Sequence, residues 1–178
     1  MSLYVRVSTV LVFALLCGCA PDPPRSPAVV SYLDVTKKQA YIQNAMSTLK
    51  IFHEAAIDLR SRRKPVAREE LAGEVEHYID VQVKPIIGDF EANHNLKTRL
   101  QVAELQLLCG MVYLELKEYD EVLAFLNSMK RRYGDSPEIL SAAIDRKYIK
   151  YRNIEEGMRA LNKRLWREFL TFAPPPSS

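Results

Sequence analysis

The stretch LQVAELQLLCGMVYLELKEYDEVLAFL, residues 100–126, decides the fold of this chain. Apolar side chains recur in it at steps of three or four residues, which is the period of a helix with one buried face. The pattern predicts one helix over residues 96–116 and a second over residues 120–133. Because the link between them is very short, the two helices must be antiparallel neighbours.

The same period continues on both sides of this hairpin and predicts four more helices. They are expected at residues 34–63, 66–92, 137–151 and 154–172. Pro65 separates the first two, and Pro85 should kink the second near Val83, because proline cannot continue the hydrogen-bond ladder. The sequence therefore predicts an all-α protein of antiparallel hairpins, with one long hairpin at 34–94 and two shorter ones at 95–172.

The composition is that of a folded, globular protein. Of the 178 residues, 48% are apolar and 26% are charged, a balance that suits one domain with a substantial core. The six glycines are few, which favours helices over turn-rich structure. A formal net charge of +3 is too small to indicate binding to nucleic acid.

The hairpin at 96–133 resembles a tetratricopeptide repeat. Gly110 and Tyr113, followed by the sequence LELKEYDEV, match the first helix, the turn and the second-helix start of that family. A shift of about 35 residues aligns Tyr113 with Tyr148, close to the family period of about 34. Gln106 departs from the pattern, since the family has Trp there. The resemblance implies a short solenoid of stacked hairpins, in which Gly110 lets the helices of the 96–133 hairpin approach closely.

Repeats of this family bind extended peptides or helices on a concave face. The resemblance implies that some of four tyrosines line such a face: Tyr113, Tyr119, Tyr148 and Tyr151. The same side chains also suit packing between helices, and the sequence leaves both roles open.

Near the amino end, the apolar run VLVFALL at residues 10–16 follows a single charge at Arg6. A helix that crosses a bilayer needs about 20 apolar residues, so this run is far too short. Its length is typical of the hydrophobic part of a secretory signal. An ordinary signal peptide and an uncleaved anchor are the alternatives.

The motif Leu16-Cys17-Gly18-Cys19 resembles the lipobox of bacterial lipoproteins. The resemblance implies that residues 1–18 are a signal peptide and that Cys19 becomes the lipidated first residue. In Gram-negative lipoproteins, Ala20 at the next position implies export to the outer membrane, facing the periplasm. Two or more acyl chains would hold the protein stably on a membrane.

Proline-rich segments flank the helical domain. The prolines of APDPPRSP favour an extended chain, so residues 19–33 are predicted to form a tether. Residues 173–178, APPPSS, are predicted to be a disordered tail. Cys109 lies on an apolar helix face and is predicted to be a buried, inert thiol.

The sequence carries no recognisable catalytic constellation. It has no G-x-S-x-G motif and no phosphate-binding glycine loop. The segment HEAAID has Ile57 where a zinc-protease helix needs a second histidine after His53. Glu74, His77 and Asp80 share a helix face, but this spacing is far more typical of surface pairs than of a metal site. We expect no enzyme activity, no metal and no cofactor.

Two basic runs, at residues 60–64 and 130–132, coincide with predicted helix ends. Cations there stabilise the C-terminal carbonyl groups of a helix. Attraction to anionic lipid headgroups or to an acidic partner is the alternative.

Together these features predict a membrane-anchored lipoprotein that acts as a protein-interaction adaptor in envelope assembly, secretion or pilus biogenesis. The expected contacts are the membrane, through acyl chains on Cys19, and an unidentified envelope protein or peptide. The alternatives are a secretin pilotin, a cell-wall-acting enzyme or ligand-binding lipoprotein, and a passive structural lipoprotein.

Overall fold

The computed structural model describes residues 27–62, 65–91 and 95–172, and these residues are almost entirely helical. The elements are α1 (Pro27–Ser61), α2 (Pro65–Tyr78), a π-helical turn (Ile79–Val83), α3 (Lys84–Glu91), α4 (Leu96–Leu116), α5 (Tyr119–Tyr133), α6 (Pro137–Leu140) and α7 (Ile154–Phe172). The part of the chain that is described contains no strand, only an isolated bridge between Ala143 and Asn153. The all-α prediction is confirmed. No helix within those ranges is both long and apolar enough to cross a membrane.

The chain divides into two units, Met1–Thr36 and Lys37–Ser178. In the first unit the description begins at Pro27, which opens α1. The predicted tether at residues 19–33 is therefore wrong over residues 27–33, which are helical rather than extended. The reason is that a proline favours the first turn of a helix, where its fixed φ is already helical and no N–H is needed. The rest of that tether, the predicted signal peptide with Cys19, and the predicted tail at 173–178 lie outside the described residues.

Helix α4 is the centre of the second unit. All its residues from Val102 to Gly110 are buried, as are those from Val112 to Leu116. A helix that is apolar on nearly every side can only be stable when other elements surround it. Accordingly α4 packs against α2, α3, α5, α6 and α7. The thiol of Cys109 lies in this core, as predicted, and burial raises its pKa.

Both ends of α4 are closed by local hydrogen bonds. At the start, the side chain of Asn95 accepts from the backbone N–H groups of Lys97 and Thr98, at 2.9 and 3.3 Å. At the end, Lys117 adopts the left-handed conformation with φ 68°, and the N–H of Glu118 donates to the Tyr113 carbonyl at 3.0 Å. This tight cap reverses the chain within two residues, so α5 returns antiparallel along α4. The predicted hairpin is confirmed.

The predicted kink in the second helix is also present. Residues Ile79–Val83 form a π-helical turn, and the backbone N–H of Lys84 donates to the carbonyl of Ile79. Pro85 follows at once; it has no N–H to donate, and its ring excludes the carbonyl of residue 81 from the normal α-helical position. The wider turn accommodates the proline, and α3 continues from it.

The predicted fifth helix, at 137–151, is wrong. Helix α6 ends at Leu140, and residues 141–153 form turns and bends. The N–H of Asp145 donates to a Glu104 carboxylate oxygen at 3.2 Å, and the Asp145 side chain accepts from the N–H of Lys147 at 2.9 Å. These bonds to side chains take backbone groups that a helix would have used. The two helices of the third predicted hairpin therefore do not form a pair.

Close approach between helices depends on Gly110 and Gly157. A Cβ atom on Gly110 would lie 2.7 Å from the side chain of Leu161 in α7, but 3.9 Å from Phe125 in α5. A Cβ atom on Gly157 would overlap the side chain of Leu107 in α4. The sequence predicts that Gly110 allows α4 to pack closely against α5. In the structure, the tighter contact at Gly110 is between α4 and α7.

Candidate functional site

Helix α5 has a cavity on each of its two sides. The first, called here the Gln106 cavity, has a volume of about 280 Å³ and lies between α3, α4 and α5. Its apolar wall consists of Ile87, Ala124 and Phe125. The sequence placed these residues within helices but did not predict a cavity beside them.

The polar wall of the Gln106 cavity mixes both charges. Lys84 and Arg132 contribute cations, Glu121 a carboxylate and Ser128 a hydroxyl. Lys84 also pairs with Asp80, whose oxygen lies 2.5 Å from the lysine nitrogen, and this hydrogen bond raises the pKa of Lys84. The wall therefore offers several donors and one carboxylate around an apolar surface.

Gln106 itself is the unusual member of the cavity. It is only 1% exposed, and its carboxamide oxygen has no hydrogen-bond partner among the described residues. A buried acceptor that makes no hydrogen bond costs free energy, because it has given up its bonds to water. The oxygen itself is out of reach of solvent, so it does not face the open part of the cavity.

The second cavity, the α5–α7 groove, has a volume of about 360 Å³. Its walls come from α5, α6 and α7 and are mainly apolar, with Leu123, Leu126, Leu140 and Met158 as the largest members. A pair of Glu155 and Arg159, with 2.6 Å between their charged atoms, lies along one side.

A cluster of ion pairs joins α1, α4 and α7. The carboxylate of Glu115 in α4 accepts from both terminal nitrogens of Arg164 and, at 3.0 Å, from Arg60. The same two arginines donate to one oxygen of Glu168, at 3.0 and 2.9 Å. The side chain of Glu115 is only 6% exposed, so this carboxylate is held almost entirely by the arginines.

The electrostatics of this cluster favour a charged Glu115. Burial alone would raise the pKa of Glu115, but the hydrogen bonds and charges of Arg164 and Arg60 outweigh it and hold that pKa below its usual range. His53 lies 3.9 Å from the same carboxylate, and burial lowers its pKa despite the nearby negative charge. His53 is therefore neutral at neutral pH, and the four charges of the cluster balance one another.

The four sequence-predicted tyrosines are dispersed. Tyr113 is buried against Phe125, with 6.0 Å between ring centres, and Tyr148 is buried with its hydroxyl donating to Gln43 at 3.0 Å. Both therefore pack within the core, which is the other role that the sequence left open, and their role in binding stays a prediction. Tyr119 and Tyr151 are partly exposed, and their role in binding stays a prediction.

The residues considered for a metal lie on the surface of α2 and the π-helical turn. Glu74 and His77 are exposed, and Asp80 is held by Lys84. None of the three lines either of the two cavities. Across the described ranges, no group of three or more His, Cys, Asp or Glu side chains is placed to hold a metal ion.

Sequence reasoning missed both Gln106 as a site residue and the ion cluster. The sequence placed Arg60 in a basic helix end, with attraction to anionic lipid or an acidic partner as the alternative, whereas its charge pairs with Glu115 and Glu168. A signal was available: Glu115 is an acid within the otherwise apolar VYLEL, and Arg164 and Glu168 are one helical turn apart.

No family model, curated protein or solved structure significantly matches this chain. We therefore infer its function from its own residues.

Proposed function

We propose that this protein is a lipid-anchored adaptor of the cell envelope, which holds a segment of another protein against helix α5 and performs no chemistry on it. The observation that carries the proposal is the position of α5 between two cavities. One partner segment could contact either side of this helix, or two segments could contact both.

The α4–α5 hairpin supports this proposal because it has features of a single tetratricopeptide-like unit. Gly110 is buried where α4 meets α5 and α7, Tyr113 is buried against Phe125 of α5, and the turn reverses within two residues. We propose that this one hairpin, rather than a repeated solenoid, provides the binding surface.

The membrane location rests on the sequence alone. The motif from Leu16 to Cys19 resembles a lipobox, and acyl chains on Cys19 would keep the domain at a membrane surface. Confinement raises the effective concentration of a binding surface near membrane partners, so even a modest affinity becomes useful. Assembly of envelope proteins, secretion and pilus biogenesis all present such partners.

Site-specific crosslinking in intact cells of the native host tests the adaptor proposal. A photoreactive amino acid would replace Ala124 in the Gln106 cavity or Asn127 in the α5–α7 groove, both of which are exposed. The control position is Glu70, which is exposed on α2 and lines neither cavity.

We expect position 124 or 127 to capture one defined envelope protein that position 70 does not capture, as identified by mass spectrometry. Capture of a secretin would favour the pilotin alternative. The same set of captured proteins at all three positions would contradict a binding role for α5.

A further inference from the structure

We propose that the C-terminal half of α7 contacts an anionic phospholipid surface through an exposed apolar patch. This patch, called here the α7 patch, consists of Trp166, Phe169 and Leu170. The inference goes beyond the proposed function, because such a contact requires neither the lipobox-like motif nor a partner segment on α5.

The first argument is the exposure of the α7 patch. The exposed fractions of its side chains are 47% for Trp166, 49% for Phe169 and 69% for Leu170. Phe169 and Leu170 follow Trp166 by three and four residues, so the three side chains share one side of the helix. Among the described residues, the other exposed large apolar side chains, from Tyr41 to Leu123, stand singly along the chain. Apolar side chains that are exposed as a group mark a contact surface.

The second argument is the shape of this surface. The rings of Trp166 and Phe169 meet edge to face, with 5.8 Å between their centres, and none of the three side chains lines the Gln106 cavity or the α5–α7 groove. A ligand or peptide is usually held in a concave site. Side chains that project from a helix can instead enter the boundary between lipid headgroups and acyl chains, which adapts to their shape.

The third argument is the indole N–H of Trp166, which already has an acceptor within α7. It donates to the side chain of Asn162, one turn earlier, at 3.1 Å. Because this donor is bonded, the ring can leave water without an unsatisfied polar group. Tryptophan is enriched at membrane interfaces, where an apolar ring and a polar N–H are both accommodated.

The fourth argument is charge, which selects an anionic surface. Lys163 and Arg167 are exposed on either side of Trp166 in the sequence. The one acidic residue within 162–170, Glu168, has a side chain that is only 13% exposed and belongs to the ion cluster. This half of α7 therefore presents apolar and cationic side chains outward, a combination typical of helices that lie on anionic membranes.

The fluorescence of Trp166 provides the test, since it is the only tryptophan in the chain. The purified full-length protein carries an amino-terminal histidine tag and is held on vesicles that contain a nickel-chelating lipid, so it is at the membrane whatever the state of Cys19. On vesicles of phosphatidylcholine and phosphatidylglycerol, we expect the emission to shift to shorter wavelength and to be quenched by phospholipids brominated near the headgroup. On phosphatidylcholine alone, both effects should be weaker.

Two variants form a matched pair. Leu170→Ser removes apolar surface beside the probe and should lower the ratio of lipid-inserted to water-exposed Trp166 about tenfold. Ile51→Ser is the control, because Ile51 is 66% exposed on α1 and lies outside the α7 patch; it should leave the ratio unchanged. All the substituted side chains are exposed, and circular dichroism checks that each variant is folded.

A third variant tests the charge. Lys163→Gln should lower the same ratio about fivefold on the anionic vesicles and leave it unchanged on phosphatidylcholine.

An emission maximum and bromine quenching that stay as in solution would overturn the inference, as would equal effects of Leu170→Ser and Ile51→Ser. Equal insertion into both kinds of vesicle would overturn the selection of anionic lipid. A photoreactive amino acid at position 170 tests the occupant in intact cells. A phospholipid adduct would support the inference, whereas capture of one defined protein in place of lipid would overturn it.

The outcome is separable from that of the proposed function. Capture of an envelope protein at position 124 without insertion of Trp166 would preserve the adaptor and exclude the lipid contact. Insertion of Trp166 without such capture would preserve the lipid contact and count against the adaptor.

Discussion

Glu115 illustrates how one buried residue joins three helices. Its carboxylate is 6% exposed and is held by Arg60 from α1 and Arg164 from α7. Removing one charge from a buried ion pair leaves the opposite charge without a partner. This loss lowers stability even when the intact pair contributes little. The cluster therefore fixes the C-terminal end of α1, at Arg60, and helix α7 against the central helix.

We expect Glu115→Gln to reduce the free energy of unfolding at neutral pH by about 2 kcal/mol, less than for a fully buried ion pair because Arg164 and Arg60 are partly exposed. Chemical denaturation of the purified protein measures it. The control is Asp58→Asn, which breaks an exposed pair with Arg62 and should cost less than about 0.5 kcal/mol. Because the pKa of folded Glu115 is lowered, its contribution should be lost as pH falls below the ordinary value of 4.5. Equal losses in the two variants would contradict the role of the cluster.

The contribution of Glu104 to stability depends on pH in the opposite direction from that of Glu115. Burial raises its pKa from 4.5 to about 7, an effect only partly offset by the hydrogen bond from the N–H of Asp145. Between these two pH values the folded protein binds more protons than the unfolded chain, so stability falls as pH rises.

We expect Glu104→Gln, which keeps the acceptor for Asp145 but never carries charge, to be more stable than the unmodified protein by about 2 kcal/mol at pH 8. The difference should be much smaller at pH 5, and denaturation curves at both pH values measure it. An exposed control, Glu70→Gln, should change little at either pH. A constant difference between pH 5 and pH 8 would show that the carboxyl does not titrate with folding.

At the scale of the element, the sequence predicted helices best where local pattern and tertiary environment agree. The bounds of α4 and α7 matched the prediction, because apolar periodicity continues to both ends and turn residues follow. The helix predicted at 137–151 failed although Leu140, Ala143 and Ile144 have helical spacing. Residues distant in sequence determine the conformation of that segment: Glu104 accepts a hydrogen bond from Asp145, and Gln43 accepts one from Tyr148. No local pattern contains such information.

The candidate site was less predictable for the same reason. Gln106 is polar in an apolar run, and the sequence marked it only as a departure from the repeat pattern. The place of Gln106 in a cavity wall depends on the space between α3 and α5, which is a property of the packed structure. The ion cluster likewise unites residues from three helices that are far apart in the chain.

The contact between α4 and α7 provides a test at this scale. We expect Gly157→Ala to lower the free energy of unfolding by about 1–3 kcal/mol, because the added methyl group overlaps the Leu107 side chain. Gly73→Ala is the matched control: nothing lies within 4 Å of its Cβ position, so better helix propensity should stabilise the protein by about 0.5–1 kcal/mol. Stabilisation by both substitutions would show that α7 does not lie this close to α4.

At the scale of the whole molecule, the proposed anchor and the proposed binding surface serve one purpose. The second unit contains both cavities and the ion cluster, so the proposed binding surface lies entirely within that unit. The lipobox-like motif would supply the location. A weak contact with one peptide segment becomes effective when both molecules are confined to the same membrane surface.

The anchor is tested by the two cysteines of the motif. We expect Cys19→Ala to abolish incorporation of radiolabelled palmitate and to shift the protein from the membrane fraction into a soluble or uncleaved form, because no thiol remains at the acceptor position. Cys17→Ala is the matched control and should keep both the label and the membrane association, since a small residue suffices there. Cell fractionation with and without detergent measures the distribution. If the Cys19→Ala protein still required detergent for release, a linkage other than an acylated Cys19 would hold it, and the proposed location would lose its basis while the binding surface on α5 would remain to be tested.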